Sequence, residues 1–487
     1  MKRILLFVIF GFSVGSLYAQ PIITLERALE IASVNSSSMQ NSLLSLERSR
    51  ESLNAQKAAL KSQFSFRANP ASYSQTRSFD EYNSSWYTNE SFSSFGTLSV
   101  SQPLLFSDGT ISFQNRFGWQ TSNNDGRGAN ESFVNNLNLN LTQPLFTYNR
   151  QKLQLRNLEL DLENTKISHA LQKLTLESQV TQYFYNVYMA QMNLSIAEDE
   201  LKNTEKSFEI TKNKVDAGLS AKEELYQAEL NLSSSKSNLQ NRRVTLENSK
   251  DRFKQYIGMP LEEDITVIVS NIEDEAILID LNKAIEYGLK SRMELRQREI
   301  SIEDAESSLI TTKALNEFRG DVTLSLGLTG QDKNLGNLYA SPTTSPSVGI
   351  SFNIPIFDWG ERKSRIKAQE AVIKQRKLAF DDEKIQIEIG IRGLYRSLLN
   401  LENQIGIARQ SETNAQLTYE INLERYANGD LTGMELNLFQ TQLSERKTSY
   451  TQALIDYRIE LFNLKIQSLF DFEKNTPIIP EQLMNSK

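Results

Sequence analysis

The stretch between Pro144 and Gly218, which contains no other proline or glycine, constrains the fold more than any other part of the chain. Leucine and aromatic side chains recur in it every three or four residues, which is typical of an amphipathic helix. One helix of about 65 residues would be about 100 Å long at 1.5 Å per residue. That length exceeds what a compact domain needs, so the helix must lie against others of similar length.

A second stretch of the same design runs from Pro355 to Gly429. Each proline follows a run in which apolar and polar residues alternate, and each glycine lies in a turn sequence. The two proline-to-glycine separations are equal, at 74 positions (218 − 144 and 429 − 355). The equality predicts two internal repeats whose long helices run between the same two levels of one structure.

Residues 1–19 have the pattern of a secretory signal peptide. Lys2 and Arg3 precede an apolar run from Ile4 to Val14, and Ala19 supplies a small residue at its end. This pattern predicts cleavage near Ala19. A membrane anchor is the alternative, but the run is too short to span a bilayer comfortably, and no second run of spanning length follows.

The composition argues against several classes of function. The chain has no cysteine, one histidine and a formal net charge of −7. The absence of cysteine excludes disulfides, thiolate metal sites and a lipid anchor on an N-terminal cysteine. The acidic balance disfavours nucleic acid as a partner. His169 alone makes neither a catalytic triad nor a metal cluster, so we expect no enzyme, no cofactor and no metal site.

Helical periodicity also opens each repeat. Thr24 and Asp280 are the predicted N-caps, and the helices are expected to continue to about Phe64 and Phe318. After each glycine turn the periodicity predicts a shorter returning helix. The predicted boundaries are a first repeat over 20–258, an equatorial connection with a short strand over 259–279, a second repeat over 280–471 and a tail over 472–487.

Strict alternation marks the segments before the two prolines. Leu137, Leu139 and Leu141 alternate with asparagines, and Val348 and Ile350 alternate with small residues. Such strands have one apolar and one polar face. A soluble sandwich would turn the apolar face to a core, whereas a membrane barrel would turn it to lipid. The signal peptide and the long helices favour the barrel.

The two repeats differ in length by one insert. Leu25 and Leu281 are 256 positions apart, whereas Pro144 and Pro355 are 211 apart, so the first repeat is 45 residues longer. The difference falls most simply at about 64–108, where serine, glycine and aromatic residues dominate. We expect β-structure and loop there, at the outer end of the molecule, as an added hairpin or an elaborated loop.

These motifs together resemble the TolC-like outer-membrane efflux proteins over essentially the whole mature chain. The resemblance rests on the two helix openings at Thr24 and Asp280, the strand–helix joints at Pro144 and Pro355, and the paired glycine turns. It implies a mainly α fold with a membrane β-barrel. In a homotrimer, each chain would give strands to one shared barrel in the outer membrane and helices to one antiparallel coiled-coil tunnel in the periplasm. The channel would serve tripartite efflux or type I secretion.

The resemblance also implies partners and site residues. The helix reversals would contact a periplasmic adaptor (membrane fusion) protein, which connects the channel to an inner-membrane transporter, while the barrel contacts outer-membrane lipid. The residues implied at the adaptor contact are Gly218, Leu219, Ser220, Gly429, Leu431 and Thr432. Glu435 would form a ring at the channel constriction. The ring would have one carboxylate per chain, because the family often has a second acidic residue three positions later, where this chain has Leu438. Tyr426 would help to hold the mouth closed, with Glu224 as its acceptor.

The sequence leaves two other interpretations of the function open. A periplasmic or surface coiled-coil structural protein would have the signal peptide and the long helices, but it would not need alternating strands in both repeats. A pore with enzymatic activity, such as an outer-membrane phospholipase, would need a serine–histidine pair, and His169 lies far from any predicted strand.

Overall fold

A computed structural model of the protein describes residues 22–82, 84–124, 128–269 and 277–478. The predicted signal peptide and the end of the predicted tail lie outside the described residues. The chain divides into two compact units. One comprises Met1–Leu43, His169–Arg292 and Ile385–Lys487, and the other comprises Leu44–Ser168 and Met293–Lys384.

Within the described residues, the α-helices form two matching sets of four. The first set is α1 (Leu25–Asn35), α2 (Ser37–Ala59), α3 (Arg150–Asp216) and α4 (Lys222–Ile257). The second set is α5 (Leu281–Ser291), α6 (Met293–Lys313), α7 (Glu361–Asn428) and α8 (Gly433–Ser468). Each opens with an 11-residue helix. The long helices have 67 and 68 residues, and the returning helices 36 each. The two long helices predicted from the sequence are therefore present.

The opening helices are shorter than expected and are interrupted. Thr24 Oγ1 accepts from the N–H of Arg27, and Asp280 accepts from two N–H groups, so both predicted N-caps are present. The backbone then turns to an extended conformation at Ser36 and at Arg292, which separates α1 from α2 and α5 from α6. The helices end at Ala59 and Lys313 rather than near Phe64 and Phe318.

Both joint prolines lie six positions before a long helix. Pro144 is still in the ladder of its strand, paired with Asp321, and α3 begins at Arg150. Pro355 follows the end of its strand, and α7 begins at Glu361. The prolines thus mark where a strand ends, where a missing N–H costs little, rather than the first turn of a helix.

One antiparallel sheet of six strands lies in the second unit. Its strands are β2 (Gln63–Asp80), β3 (Ser85–Leu104), β4 (Gly109–Asn124), β5 (Gly128–Leu145), β7 (Arg319–Asp332) and β8 (Thr343–Asn353). They pair in the order β2-β3-β4-β5-β7-β8. The 45-residue insert is therefore a complete hairpin, β2–β3. The β7–β8 connection runs over residues 333–342 and contains a 3₁₀ turn over Leu335–Asn337.

The sheet register separates apolar from polar side chains. Because residues two apart share a face, a cross-strand row can keep one chemical character across the sheet. One row of the apolar face joins Phe64, Val100, Phe113, Leu139, Leu326 and Pro346. The adjacent row of the other face joins Ser65, Ser99, Gln114, Asn138, Gly327 and Ser345.

The core of the first unit gathers around the middle of α3 and the end of α4. Phe184 and Phe253 are fully buried against one another, with ring centroids 6.1 Å apart. Ala28 and Ala32 have no exposed surface and give α1 a small-residue face in this cluster. A two-stranded parallel sheet joins β1 (Ile22–Ile23) to β6 (Thr266–Val267), the short strand expected in the connection. At the end of the second repeat, β9 (Phe470–Asp471) pairs antiparallel with β10 (Thr476–Pro477) of the described tail.

Among the described residues, no helix combines the length and the apolar character that crossing a membrane requires.

Two glycines with positive φ give a matched test of the first unit. Gly218 has φ +74° with open space around a Cβ, whereas Gly258 has φ +75° and a Cβ there would lie 2.5 Å from the carbonyl oxygen of Asn35. Gly218→Ala should cost about 1 kcal/mol from backbone conformation alone. Gly258→Ala should cost about 3 kcal/mol, since backbone must also move. Thermal unfolding in mild detergent would measure both, and equal shifts would contradict the packing at Gly258.

Candidate functional site at the helix reversals

The two helix reversals have the same backbone geometry. At the end of α3, Leu219 N–H donates to Lys214 C=O (2.8 Å) and Gly218 N–H donates to Val215 C=O (3.0 Å). At the end of α7, Asp430 N–H donates to the carbonyl of Arg425 and Gly429 N–H donates to that of Tyr426. This pattern is the Schellman motif, which needs a left-handed residue after the helix. Glycine meets that need at φ +74° and +95°, so both predicted turns have a physical basis.

The residues of the two turns differ in exposure. Leu219 is 80% exposed, which leaves a large apolar side chain in solvent at the first turn. The hydroxyl of Ser220 donates to the carboxylate of Glu224, within the first turn of α4. In the second turn Leu431 is partly buried and packs against the cluster that contains Tyr426. The first turn therefore offers more apolar contact surface than the second.

Tyr426 is buried, with 2% exposure, and its hydroxyl is bonded to the hydroxyl of Thr211 on α3. Thr211 donates its own proton to the carbonyl of Ser207 (2.8 Å), so Tyr426 is the donor in this bond. Burial raises the pKa of Tyr426 above the ordinary tyrosine value, which keeps the hydroxyl protonated. The expected acceptor, Glu224, is not the partner: its carboxylate accepts from Ser220, and it acts on Tyr426 only as a nearby charge.

Lys214 makes a second connection between α3 and α7. Its ammonium lies 4.4 Å from the centroid of the Tyr426 ring and donates to the carbonyl oxygen of Tyr426. A cation at the C-terminus of a helix is favourable, because carbonyl groups there have no helical partner. The ends of α3 and α7 are thus joined by the hydrogen bond between the hydroxyls of Thr211 and Tyr426, and by the contacts of the Lys214 ammonium with the ring and the carbonyl oxygen of Tyr426.

Gln440 on α8 makes a third connection to α3. It is 4% exposed and donates to Thr204 Oγ1 (2.8 Å) and to the carbonyl of Glu200 (2.7 Å). Thr204, like Thr211 seven residues later, is buried and donates back to the carbonyl four residues before it. Sequence reasoning did not identify Thr204, Thr211, Lys214 or Gln440. The sequence signal that could have identified this site is the pair Thr204 and Thr211, which lie one heptad apart at core positions near the otherwise polar end of α3.

Glu435 closes a capping box at the start of α8. Its N–H donates to Thr432 Oγ1 (3.3 Å), and the N–H of Thr432 donates to its carboxylate (3.0 Å). These bonds from Thr432 hold the pKa of Glu435 below the ordinary glutamate value, so the exposed carboxylate is charged at neutral pH. Glu435 therefore has a local role in starting α8 in addition to any role of its charge.

A groove of about 510 Å³ lies between α3, α4 and α8, close to the helix reversals and within the first unit. α3 lines one wall, and the first turns of α4 and α8 line the others. The lining residues include Phe208, Glu224, Tyr426, Met434, Glu435 and Gln440. The groove combines apolar walls with three carboxylates, those of Glu223, Glu224 and Glu435, and so contains both acidic residues expected at the channel mouth.

His169 is half-buried. Its Nδ1 lies 2.9 Å from the hydroxyl of Ser42, and burial, with Lys173 nearby, lowers its pKa below the ordinary histidine value. The ring is therefore neutral at pH 7. Within the described residues, no group of three histidine or acidic side chains is placed to hold a metal ion.

The fold is similar to that of outer membrane channels of known structure. The CmeC outer membrane channel of Campylobacter jejuni has a TM-score of 0.70 and 15% identity, with 94% of this chain and 88% of that chain covered. The outer membrane protein VceC of Vibrio cholerae has a TM-score of 0.65 and 14% identity, with 93% and 96% covered. The open state of the Neisseria gonorrhoeae MtrE outer membrane channel has a TM-score of 0.66 and 15% identity, with 92% and 89% covered. These likenesses confirm the predicted fold class, long helices combined with a β-barrel.

Sequence comparison leads to one family. A comparison with curated protein sequences returns no match. The model of the outer membrane efflux protein family matches residues 110–259 and 284–465, more than half of the chain. The matched segments begin in β4 and in α5 and include both helix reversals. The chain therefore belongs to the outer membrane efflux protein family, as its sequence predicts, and its localisation is the outer membrane.

Proposed function

We propose that three copies of this chain form the outer-membrane channel of a tripartite efflux or type I secretion system. The channel takes substrates from a periplasmic adaptor and an inner-membrane transporter and passes them across the outer membrane. It has no catalytic role. The observation that carries the proposal is the two-faced sheet, in one chain with two helices of 67 and 68 residues.

The sheet has the surface that a lipid-facing wall requires. Phe64 and Val348, on its two outer strands, are 73% and 72% exposed in a single chain. A soluble protein of this composition would leave such a surface in water, whereas in a bilayer the same surface meets hydrocarbon. The opposite face, rich in serine, asparagine and glutamine, would then line a water-filled lumen.

The helix reversals support the adaptor-contact role. Gly218, Leu219 and Ser220 form one turn, and Gly429, Leu431 and Thr432 form the other, and Thr432 also lines the groove. The exposed Leu219 and Met434 give apolar anchors beside carboxylates, which is the mixed chemistry of a protein-binding surface. An adaptor hairpin would place its own turn in this groove.

The mouth of the channel would lie at the same reversals. Threefold symmetry would gather three Glu435 carboxylates around one axis, where they attract cations. Tyr426, bonded to Thr211, would hold the second hairpin (α7–α8) against α3 in the closed state. Opening would then require this buried bond to break in each chain.

Location and assembly test the proposal directly. The mature chain should sediment with outer membranes and migrate as a trimer after extraction in mild detergent, because an exposed apolar sheet needs lipid and neighbours. Cell fractionation and light scattering of the extract would measure both. Recovery from the soluble periplasm would instead support a coiled-coil structural protein, and a monomer in mild detergent would overturn the trimeric channel.

A further inference from the structure

We infer that the barrel of this protein contains eighteen strands, six from each of three chains, closed by pairing β8 of one copy with β2 of the next. The inference rests on the proposed function, since it requires a trimer in a membrane. It goes beyond that function by assigning the insert to the wall of the pore and by setting the pore width.

The β2–β3 hairpin continues both faces of the sheet. On the apolar face, Phe64 pairs with Val100 and Phe66 with Leu98. On the polar face, Ser65 pairs with Ser99. The strands have 18 and 20 residues, at least as long as the 16 and 18 of β4 and β5. A hairpin that lay outside the wall as a loop would not need to continue the alternation in register.

The β2–β3 hairpin also covers one edge of β4. That edge would be free for a neighbouring copy if the wall contained only β4, β5, β7 and β8. β4 pairs with β3 over the whole length of β4, from Gly109 with Leu104 to Asn124 with Asn89. A neighbouring copy therefore cannot reach β4 and must pair with β2. Within the described residues, no strand pairs with the outer edge of β2 or of β8.

Strand direction and lipid both favour closure by a second copy. Each of the five neighbouring strand pairs is antiparallel, so β2 and β8 run in opposite directions. A copy related by rotation about a common axis therefore joins its β2 to this β8 as an antiparallel pair. In hydrocarbon each unpaired backbone group costs several kcal/mol, so open edges do not persist. Three copies then give three times six strands.

The bounds of the family-model match support the interpretation that the β2–β3 hairpin is an addition to the part of the fold that the family shares. In the second repeat the match begins at residue 284, at the opening helix, whereas in the first it begins at residue 110, after the hairpin. The matched part contains four of the six strands, which would make twelve in a trimer. Barrel diameter grows in proportion to strand number, so eighteen strands make a lumen about half again as wide. Barrels of that size leave an aqueous channel.

Disulfide cross-linking tests the closure, because the chain has no cysteine of its own. Six double variants would combine Ser65→Cys on β2 with one cysteine on the polar face of β8, at position 343, 345, 347, 349, 351 or 353, which covers the possible registers on that face. The matched control combines Ser112→Cys on β4 with the same six positions. Oxidation in native membranes followed by a denaturing gel reports covalent dimers and trimers.

At least one Ser65 combination should give about tenfold more cross-linked chain than every Ser112 combination, since a disulfide needs adjacent strands. Cross-linking through Ser112 alone would show a four-stranded wall with the hairpin outside, and would overturn the inference. An intact native trimer that cross-links in neither series would overturn it as well. Absence of a trimer in the unsubstituted protein would instead overturn the proposed function.

Labelling of the hairpin gives a second readout that needs no cross-link. A membrane-impermeant maleimide should label Arg67→Cys, on the polar face, at least as fast as a surface cysteine. It should leave Phe66→Cys, on the apolar face, protected by lipid. Equal labelling of both positions would place the hairpin in water and contradict its place in the wall.

Discussion

Tyr426→Phe is expected to raise the open probability of the channel about 100-fold. The substitution removes one buried hydroxyl bond per chain, worth about 1 kcal/mol, and keeps the ring that fills the site. If the three chains open together, the loss is about 3 kcal/mol, which corresponds to a factor of about 100. Thr211 is not left unsatisfied, because it still donates to Ser207. Single-channel recording in planar bilayers would measure the effect.

A double-mutant cycle separates this bond from general loosening. Thr211→Val removes the same contact from α3, so the Tyr426→Phe and Thr211→Val effects should not add. Thr245→Val is the matched control, because Thr245 also donates to the carbonyl four residues before it but is exposed on α4. Additive effects, or an open probability unchanged by Tyr426→Phe, would show that the bond does not hold the mouth closed.

Glu435→Gln is expected to weaken the cation preference of the channel and its block by multivalent cations. Glutamine can still accept the Thr432 N–H, so the capping box and the start of α8 are preserved while the charge is lost. Because Leu438 supplies no second acid, the ring has one carboxylate per chain, and its removal should shift the blocking concentration about tenfold or more. Reversal potentials in a salt gradient and titration with a trivalent cation would measure both effects.

Two controls identify the source of the Glu435 effect. Glu209→Gln removes the same charge from an exposed position on α3 and should leave selectivity unchanged. Glu435→Ala removes both the charge and the capping box, so it should reproduce the selectivity change and also loosen the start of α8. If Glu435→Gln behaves like Glu209→Gln, Glu435 serves only to cap its helix.

Features that depend on local chemistry were predictable from the sequence. The caps at Thr24 and Asp280 need only a short polar side chain before a helix, and the turns at Gly218 and Gly429 need only a residue that tolerates positive φ. The length of α3 followed from the absence of proline and glycine and from helical periodicity. Each of these signals lies within a few residues of the structure that it specifies.

Features that depend on distant partners were not predictable. The break at Ser36 occurs in a sequence without proline or glycine, and the hydroxyl of Ser36 then accepts from the N–H of Met39 in α2. The partner of Tyr426 is Thr211, 215 positions earlier, so no local pattern distinguishes it from Glu224. The insert likewise could be a loop or a hairpin until its pairing with β4 was known. In each case tertiary packing selects among conformations that the local sequence permits equally.

The insertion of a hairpin, rather than a single strand, restricts how such a pore can change size. A hairpin returns the chain to the level of the sheet from which it left, so β2 and β3 leave the direction of β4 and of α3 unchanged. One extra strand would instead reverse every later element and detach the helices from their partners. A segment such as 63–104 can therefore be duplicated or deleted only whole. Under threefold symmetry, one hairpin gained or lost per chain changes the barrel by six strands. Evolution or engineering can therefore change the pore width only in steps of six strands.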